Sequence, residues 1–201
     1  MKITWLTGWS IPTDRQLIAA QEQFPDCEHT CIHPNKDAID KVLASGYDHL
    51  IGYSLGTALI LDSLKKFKDT KNITLITPIL DFRKESDLGG RASAGQVQML
   101  MGPLKFAPVM AINAFYKQAK IDLTIKELPY SKEDLIWGLN FLLNHSVQPT
   151  NREFNQVLLG EHDRLLDSQK LATLMPNSKI IPAAGHDTRG FLEHIKLNSL
   201  V

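Results

Sequence analysis

Cysteine is scarce in this chain: Cys27 and Cys31 are the only two in 201 residues. In an extended segment they would share a face but stand roughly 13 Å apart, beyond the reach of a disulfide, which points to reduced thiols and a cytoplasmic setting. The alternation Cys27, His29, Cys31, His33 sets metal-capable groups in a straight row. A row cannot close into the tetrahedron that zinc requires, so no metal is expected, nor any other cofactor. Net charge is lacking as well, with 22 Lys and Arg balancing 22 Asp and Glu. There is then no field to gather a nucleic-acid backbone or an anionic membrane surface. No apolar run approaches the roughly 18 residues of a membrane span, and the N-terminus opens on a strand-like stretch, not on the charged-then-apolar pattern of a signal peptide. Aromatics are few, at 7%, while 43% of residues are hydrophobic and 22% charged, the composition of one ordinary globular domain.

What is present is an alternation of short apolar runs with helical patterns, the mark of βαβ units and a mainly parallel sheet. Strands are expected at Ile3–Thr7, Glu28–Ile32, Asp48–Tyr53, Asn72–Pro78, Gln156–Gly160 and Lys179–Pro182. Between them, helices are expected from Thr13 onward, with Thr13 and Gln16 as a capping box, over Asp37–Ala44 with Gly46 as its cap, from Ser54 to about Phe67, over Ser168–Leu174, and over a closing stretch Arg189–Asn198. The rhythm breaks between Phe82 and Asn151, far longer than a usual connection. This stretch has helical patterns of its own, Ala94–Met101 and Phe106–Ala119, broken by Pro103 and Pro108, and Ser131 with Asp134 opens another helix. The expected organisation is a core of residues 1–82 and 130–201 with a small helical lid at 83–129.

The sharpest chemical signal is Gly52-Tyr53-Ser54-Leu55-Gly56, a G-x-S-x-G pattern at a strand-to-helix junction. A serine on so sharp a turn holds its hydroxyl proud of the sheet, and the flanking glycines remove side chains that would clash. A serine alcohol at neutral pH is a poor nucleophile and needs a base. His186, in Ala184-Gly185-His186-Asp187, follows a late strand and is the expected base. Asp163, in Gly160-Glu161-His162-Asp163, follows the strand before it and is the expected acid that orients the imidazole. Both lie at carboxyl ends of strands, where parallel sheets place their ligand crevice. Asp81 is the rival acid. His162 is a poorer base, because side chains on adjacent residues point apart. His29, His33, His49, His145 and His194 are expected at the surface or at helix ends. For an oxyanion the expected donors are the backbone N–H groups of Leu55 and Trp9, and the Trp9 indole is expected to wall the pocket or to anchor the core.

Together these residues resemble the α/β-hydrolase superfamily along the whole chain: Leu6-Thr7-Gly8-Trp9 after the first strand, the Gly52–Gly56 turn, the Leu159–Leu166 acid turn, and Ala184-Gly185-His186. Within it, Gly8-Trp9 and the insertion ending in Phe115-Tyr116-Lys117-Gln118-Ala119 look like the pimeloyl-(acyl-carrier protein) methyl ester esterases of biotin synthesis. That resemblance implies a tryptophan beside the nucleophile, matched by Trp9. It also implies cap residues that grip an acidic acyl-carrier protein, for which Arg83, Arg91, Lys105, Lys117 and Lys120 are the candidates. The family usually has His-Gly where this chain has Thr7-Gly8. The chain also starts at what would be the family's third strand, which leaves the strand near Cys27–Ile32 as an edge.

The expected protein is therefore an α/β-hydrolase with a six-stranded parallel sheet. It would act as a serine esterase on a small-molecule or carrier-bound acyl ester, with Met99, Met101, Leu104, Phe106 and Met110 lining an apolar tunnel or packing the lid's own core. An acyl thioesterase would use the same groups, and a non-catalytic interaction protein keeping the fold is the reading from another class.

Overall fold

Short runs of β-branched and apolar residues form the strands: β1 (Lys2–Leu6), β2 (Glu28–Ile32), β3 (His49–Tyr53), β4 (Ile73–Ile76), β5 (Gln156–Gly160) and β6 (Ser178–Ile181). In the computed structural model, which describes residues 1–197, every strand pair is parallel and the order is β2-β1-β3-β4-β5-β6. The central strands β3 and β4 are buried along their whole length, as a sheet covered by helices on both faces requires. The edge strand β2 is only partly buried, and Glu28, His29 and Thr30 give it a polar character that discourages pairing with another chain.

The helices are α1 (Thr13–Gln23), α2 (Ala38–Ser45), α3 (Leu55–Asp62), α4 (Ala94–Phe106), α5 (Pro108–Ala119), α6 (Lys132–Asn144) and α7 (Ser168–Leu174). Among the described residues no helix is long and apolar enough to cross a membrane. Helix α3 is apolar on all sides and fully buried from Leu55 to Leu61, and a separate 3-10 turn, Leu64–Phe67, follows it where one continuous helix was expected.

Three further expectations are corrected. Helix α1 starts directly behind Pro12 with no side-chain cap, because the Gln16 carboxamide that was to reach back instead accepts the Thr188 hydroxyl at 3.1 Å. Pro103 does not break a helix: it lies within α4, beside exposed Gly102. The break falls at Ala107, which Pro108 forces out of helical geometry, to φ −139° and ψ 63°, and Pro108 then serves as the first residue of α5. The closing element is a 3-10 stretch, Thr188–His194, and Asn198, where a helix was expected to end, lies outside the described residues.

The segment 83–129 carries α4 and α5. A capping box starts α4, with the Ser93 hydroxyl accepting the Gln96 N–H and the Gln96 side chain accepting the Ser93 N–H. Helix α4 packs against both α5 and α6, so the insertion rests on the core through α6.

Candidate active site

Four of the strands deliver their carboxyl ends to one rim of the sheet. The turn after β3 is the sharpest. Ser54 has φ 51° and ψ −117°, a conformation that a non-glycine residue holds only when its surroundings over-determine it. They do so here. A Cβ on Gly56 would stand 2.1 Å from the Leu6 carbonyl oxygen, so only glycine lets α3 begin this close to β1. The Ser54 N–H is held by the Ile76 carbonyl at 3.0 Å.

Ser54 meets the two residues expected beside it. Its Oγ lies 2.9 Å from His186 Nε2, and His186 Nδ1 lies 2.8 Å from Asp163 Oδ2. A carboxylate only accepts, so Nδ1–H donates to Asp163, and Nε2 is left to accept the serine hydroxyl. Asp163 Oδ1 accepts the N–H groups of Leu165 at 2.8 Å and Leu166 at 3.1 Å, which fixes the carboxylate plane. The Tyr53 hydroxyl donates to the His186 carbonyl at 2.7 Å, and burial pushes that phenol well above its usual pKa, so the donor stays protonated.

Asp81 does something else. Its Oδ1 accepts Arg83 Nε at 2.9 Å and the Arg83 N–H at 2.8 Å, while Oδ2 accepts Arg83 Nη2 at 2.6 Å. Burial alone would raise its pKa, but these bonds outweigh it and hold the carboxyl below the usual carboxylate value. The same pairing ties the Arg83 guanidinium to Asp81 while its side chain stays 31% exposed.

The two expected oxyanion donors border the serine. Leu55 heads α3, so its N–H is among those with no acceptor inside the helix. A Cβ on Gly8 would stand 2.7 Å from the Tyr53 ring and 3.2 Å from Ser54 Cβ, so the Gly8–Trp9 peptide runs against the turn. The loop is held from the insertion side: the Tyr116 hydroxyl donates to the Ser10 carbonyl, and the Ser10 N–H donates to the Tyr130 hydroxyl. The Trp9 indole N–H donates to the Leu135 carbonyl at 2.8 Å, and its ring meets Phe115 edge-on at 4.9 Å.

Above Ser54 opens a cavity of about 630 Å³, walled by Trp9, Phe82, Leu139 and the inner faces of α4 and α5. Of the five apolar residues expected to line a tunnel, only Met99 and Met110 do so. Leu104 is buried within the insertion, and Phe106 points outward, 89% exposed. In the last turn of the continuous helix α4, Leu104 faces the core and Phe106 faces out. Leu100, Val97, Ala111 and Phe115 supply the wall instead.

Sequence reasoning missed the groups that fasten the turns bearing Asp163 and His186. Asp187, directly after His186, accepts Arg15 Nη2 and the Asp122 N–H at 3.0 Å each on Oδ2, with Arg189 Nη2 at 3.3 Å. Burial would raise this carboxyl, yet the Arg189 N–H and the Arg15 and Arg189 guanidiniums hold it below its ordinary value. Arg91 donates to the Asp163 carbonyl at 2.9 Å. Both ends of the insertion are thus tied to the acid and base turns. The only sequence signal was the adjacency of Asp187 to His186, since Arg15 lies 172 residues away. His49 is a further correction: it is fully buried, with Nε2 against Thr74 Oγ1 at 2.9 Å, because it opens the fully buried strand β3.

A parallel sheet in this order, a serine on a strained strand-to-helix turn, and a carboxylate and an imidazole following later strands define the α/β-hydrolase fold. No family model matches the chain, and no curated protein matches its sequence. Solved structures do. A candidate aryl esterase from Burkholderia cenocepacia superposes with TM-score 0.66 at 13% identity, over 96% of this chain and 85% of that one. A lipase-esterase related protein from Clostridium acetobutylicum gives 0.61 at 15%, over 95% and 88%. BioG from Haemophilus influenzae gives 0.55 at 11%, over 96% and 91%. At such identities the likeness is one of fold, and a fold of this kind hosts many chemistries.

Proposed function

We propose that this protein is a serine hydrolase that cleaves carboxylic esters through an acyl-Ser54 intermediate. The observation that carries the reading is the unbroken hydrogen-bond chain from Ser54 Oγ through His186 to Asp163, at 2.9 and 2.8 Å, opening on an apolar cavity. Ser54 Oγ attacks the ester carbonyl carbon while its proton passes to His186 Nε2. The carbonyl oxygen becomes an oxyanion and accepts the N–H groups of Leu55 and Trp9. Asp163 stabilises the imidazolium without taking its proton. Collapse of the tetrahedral intermediate breaks the bond to the leaving oxygen, which takes the proton from His186. Water then attacks the acyl-serine and gives one proton to His186, and as the second tetrahedral intermediate collapses that proton passes to Ser54 Oγ, releasing the acid and the free serine.

In its specific form the substrate is a pimeloyl-(acyl-carrier protein) methyl ester. Trp9 beside Ser54 supports this form, as do Lys105, Lys117 and Lys120 exposed on the insertion as carrier contacts. A fluorophosphonate probe is expected to label the wild type and not Ser54→Ala, with ester turnover in that variant falling by roughly three orders of magnitude or more; equal labelling of both would remove the hydrolase reading. Ser54-dependent rescue of a biotin-requiring strain that lacks its methyl esterase tests the specific form, and normal expression without rescue would overturn it.

A further inference from the structure

The cavity over Ser54 is uneven in charge. Its lining includes two arginines, Arg91 and Arg164, and no aspartate or glutamate. The two belong to one short ribbon. Gly90 bridges antiparallel to Leu166, and the Arg91 N–H donates to the Leu165 carbonyl at 3.0 Å, so the segment leading into α4 runs alongside the turn that bears Asp163. Arg91 uses one N–H on the Asp163 carbonyl, and its nearest carboxylate, Asp167, stands 3.9 Å away, too far for a hydrogen bond. Arg164 is exposed and makes no hydrogen bond or ion pair among the described residues. Most of the remaining wall is apolar, with Gln96 and Gln118 adding neutral amides.

A guanidinium presents a planar fork of donors matched to carboxylate and phosphate oxygens. With no carboxylate in the lining, the two guanidiniums give this side of the cavity a positive charge that attracts an anion. A neutral ester would leave the Arg164 fork unused. We propose that Arg164, with Arg91 beside it, forms an anion subsite of this cavity, and that the substrates are esters carrying a carboxylate or phosphate in addition to the scissile bond. The inference rests on the hydrolase reading and deepens it. The anion sits either on the acyl chain or on the leaving group, and matched substrates separate the two sources.

The test compares hydrolysis of a neutral 4-nitrophenyl acyl ester with its isostere ending in a carboxylate, and of a neutral alkyl ester with one whose leaving alcohol bears a phosphate. In at least one pair the anionic member is expected to show a kcat/KM about tenfold higher at low salt, chiefly through KM, with the advantage shrinking as salt rises. Arg164→Gln, at a site that bonds nothing in the protein, is expected to bring that ratio to within about twofold of unity, and Arg164→Glu to reverse it. A wild type that favours neither anionic member, or a preference that survives in both Arg164 variants, overturns the subsite. Should none of the esters be hydrolysed in a Ser54-dependent way, the hydrolase reading falls and the subsite with it. Ser54-dependent hydrolysis without charge preference removes the subsite alone.

Discussion

The carboxyl rim of the sheet and the helical insertion above it are built on different principles. At the rim each reactive side chain is held by more constraints than it has freedoms: Ser54 by backbone strain and a glycine contact, Asp163 by two N–H donors, and His186 by a carboxylate, a serine and a tyrosine. The insertion is held mainly by packing of α4 on both α5 and α6, and it leaves Met99, Phe106 and Met110 exposed. Polar bonds and backbone strain thus fix the rim, whereas the insertion combines buried side chains such as Leu104 and Ile112 with several that stay exposed. The two are joined at Arg91 and at Asp187, where both ends of the insertion grip the rim.

The sharpest way to break this comparison is at the acid. Asp163→Asn is expected to lower ester turnover roughly 10³- to 10⁴-fold, as loss of the orienting carboxylate does in serine hydrolases, while Asp81→Asn changes turnover little and shows its effect in thermal unfolding. Steady-state kinetics on both variants decide it, and the opposite ranking would reassign the acid. The next effect concerns the join. Asp187→Ala releases the base turn from Arg15 and from the insertion, and kcat is expected to drop about ten- to a hundredfold with KM changed less; an unchanged kcat in a folded variant would show that the rim aligns without the insertion.

The smallest effect reports on burial beneath the rim. Burial lowers the His49 pKa from 6.5 to about 4. Between those values the unfolded chain binds a proton that the folded chain does not, so stability falls as pH drops below 6.5, by about 2 kcal/mol on reaching pH 5. His145, lowered by burial as well, acts in the same direction. Urea unfolding at pH 7.5 and pH 5 is expected to show a smaller pH difference in His49→Gln than in the wild type. An equal difference would mean that His49 titrates normally.

Much of the sheet was legible because local signals agreed: strands β2 and β5 and helix α7 begin and end where residue pattern alone sets them. The residues of the site were legible because G-x-S-x-G, Gly-x-x-Asp and Gly-His each follow a strand, and a strand's carboxyl end in a parallel sheet has only one place to be. What failed were judgements that needed a partner from elsewhere. Gln16 left its capping role for Thr188, and Phe106 falls on the outer side of an α4 that runs on past Pro103.

By itself the sequence determined the order of strands and helices, the serine turn, and the serine and histidine to be assembled with one of two aspartates, since these depend on propensity and spacing within short windows. The tertiary structure alone decided which aspartate meets the histidine, which arginines face the cavity, and what fastens the base turn. Those outcomes rest on contacts between residues tens to hundreds of positions apart, whose distances no local pattern encodes.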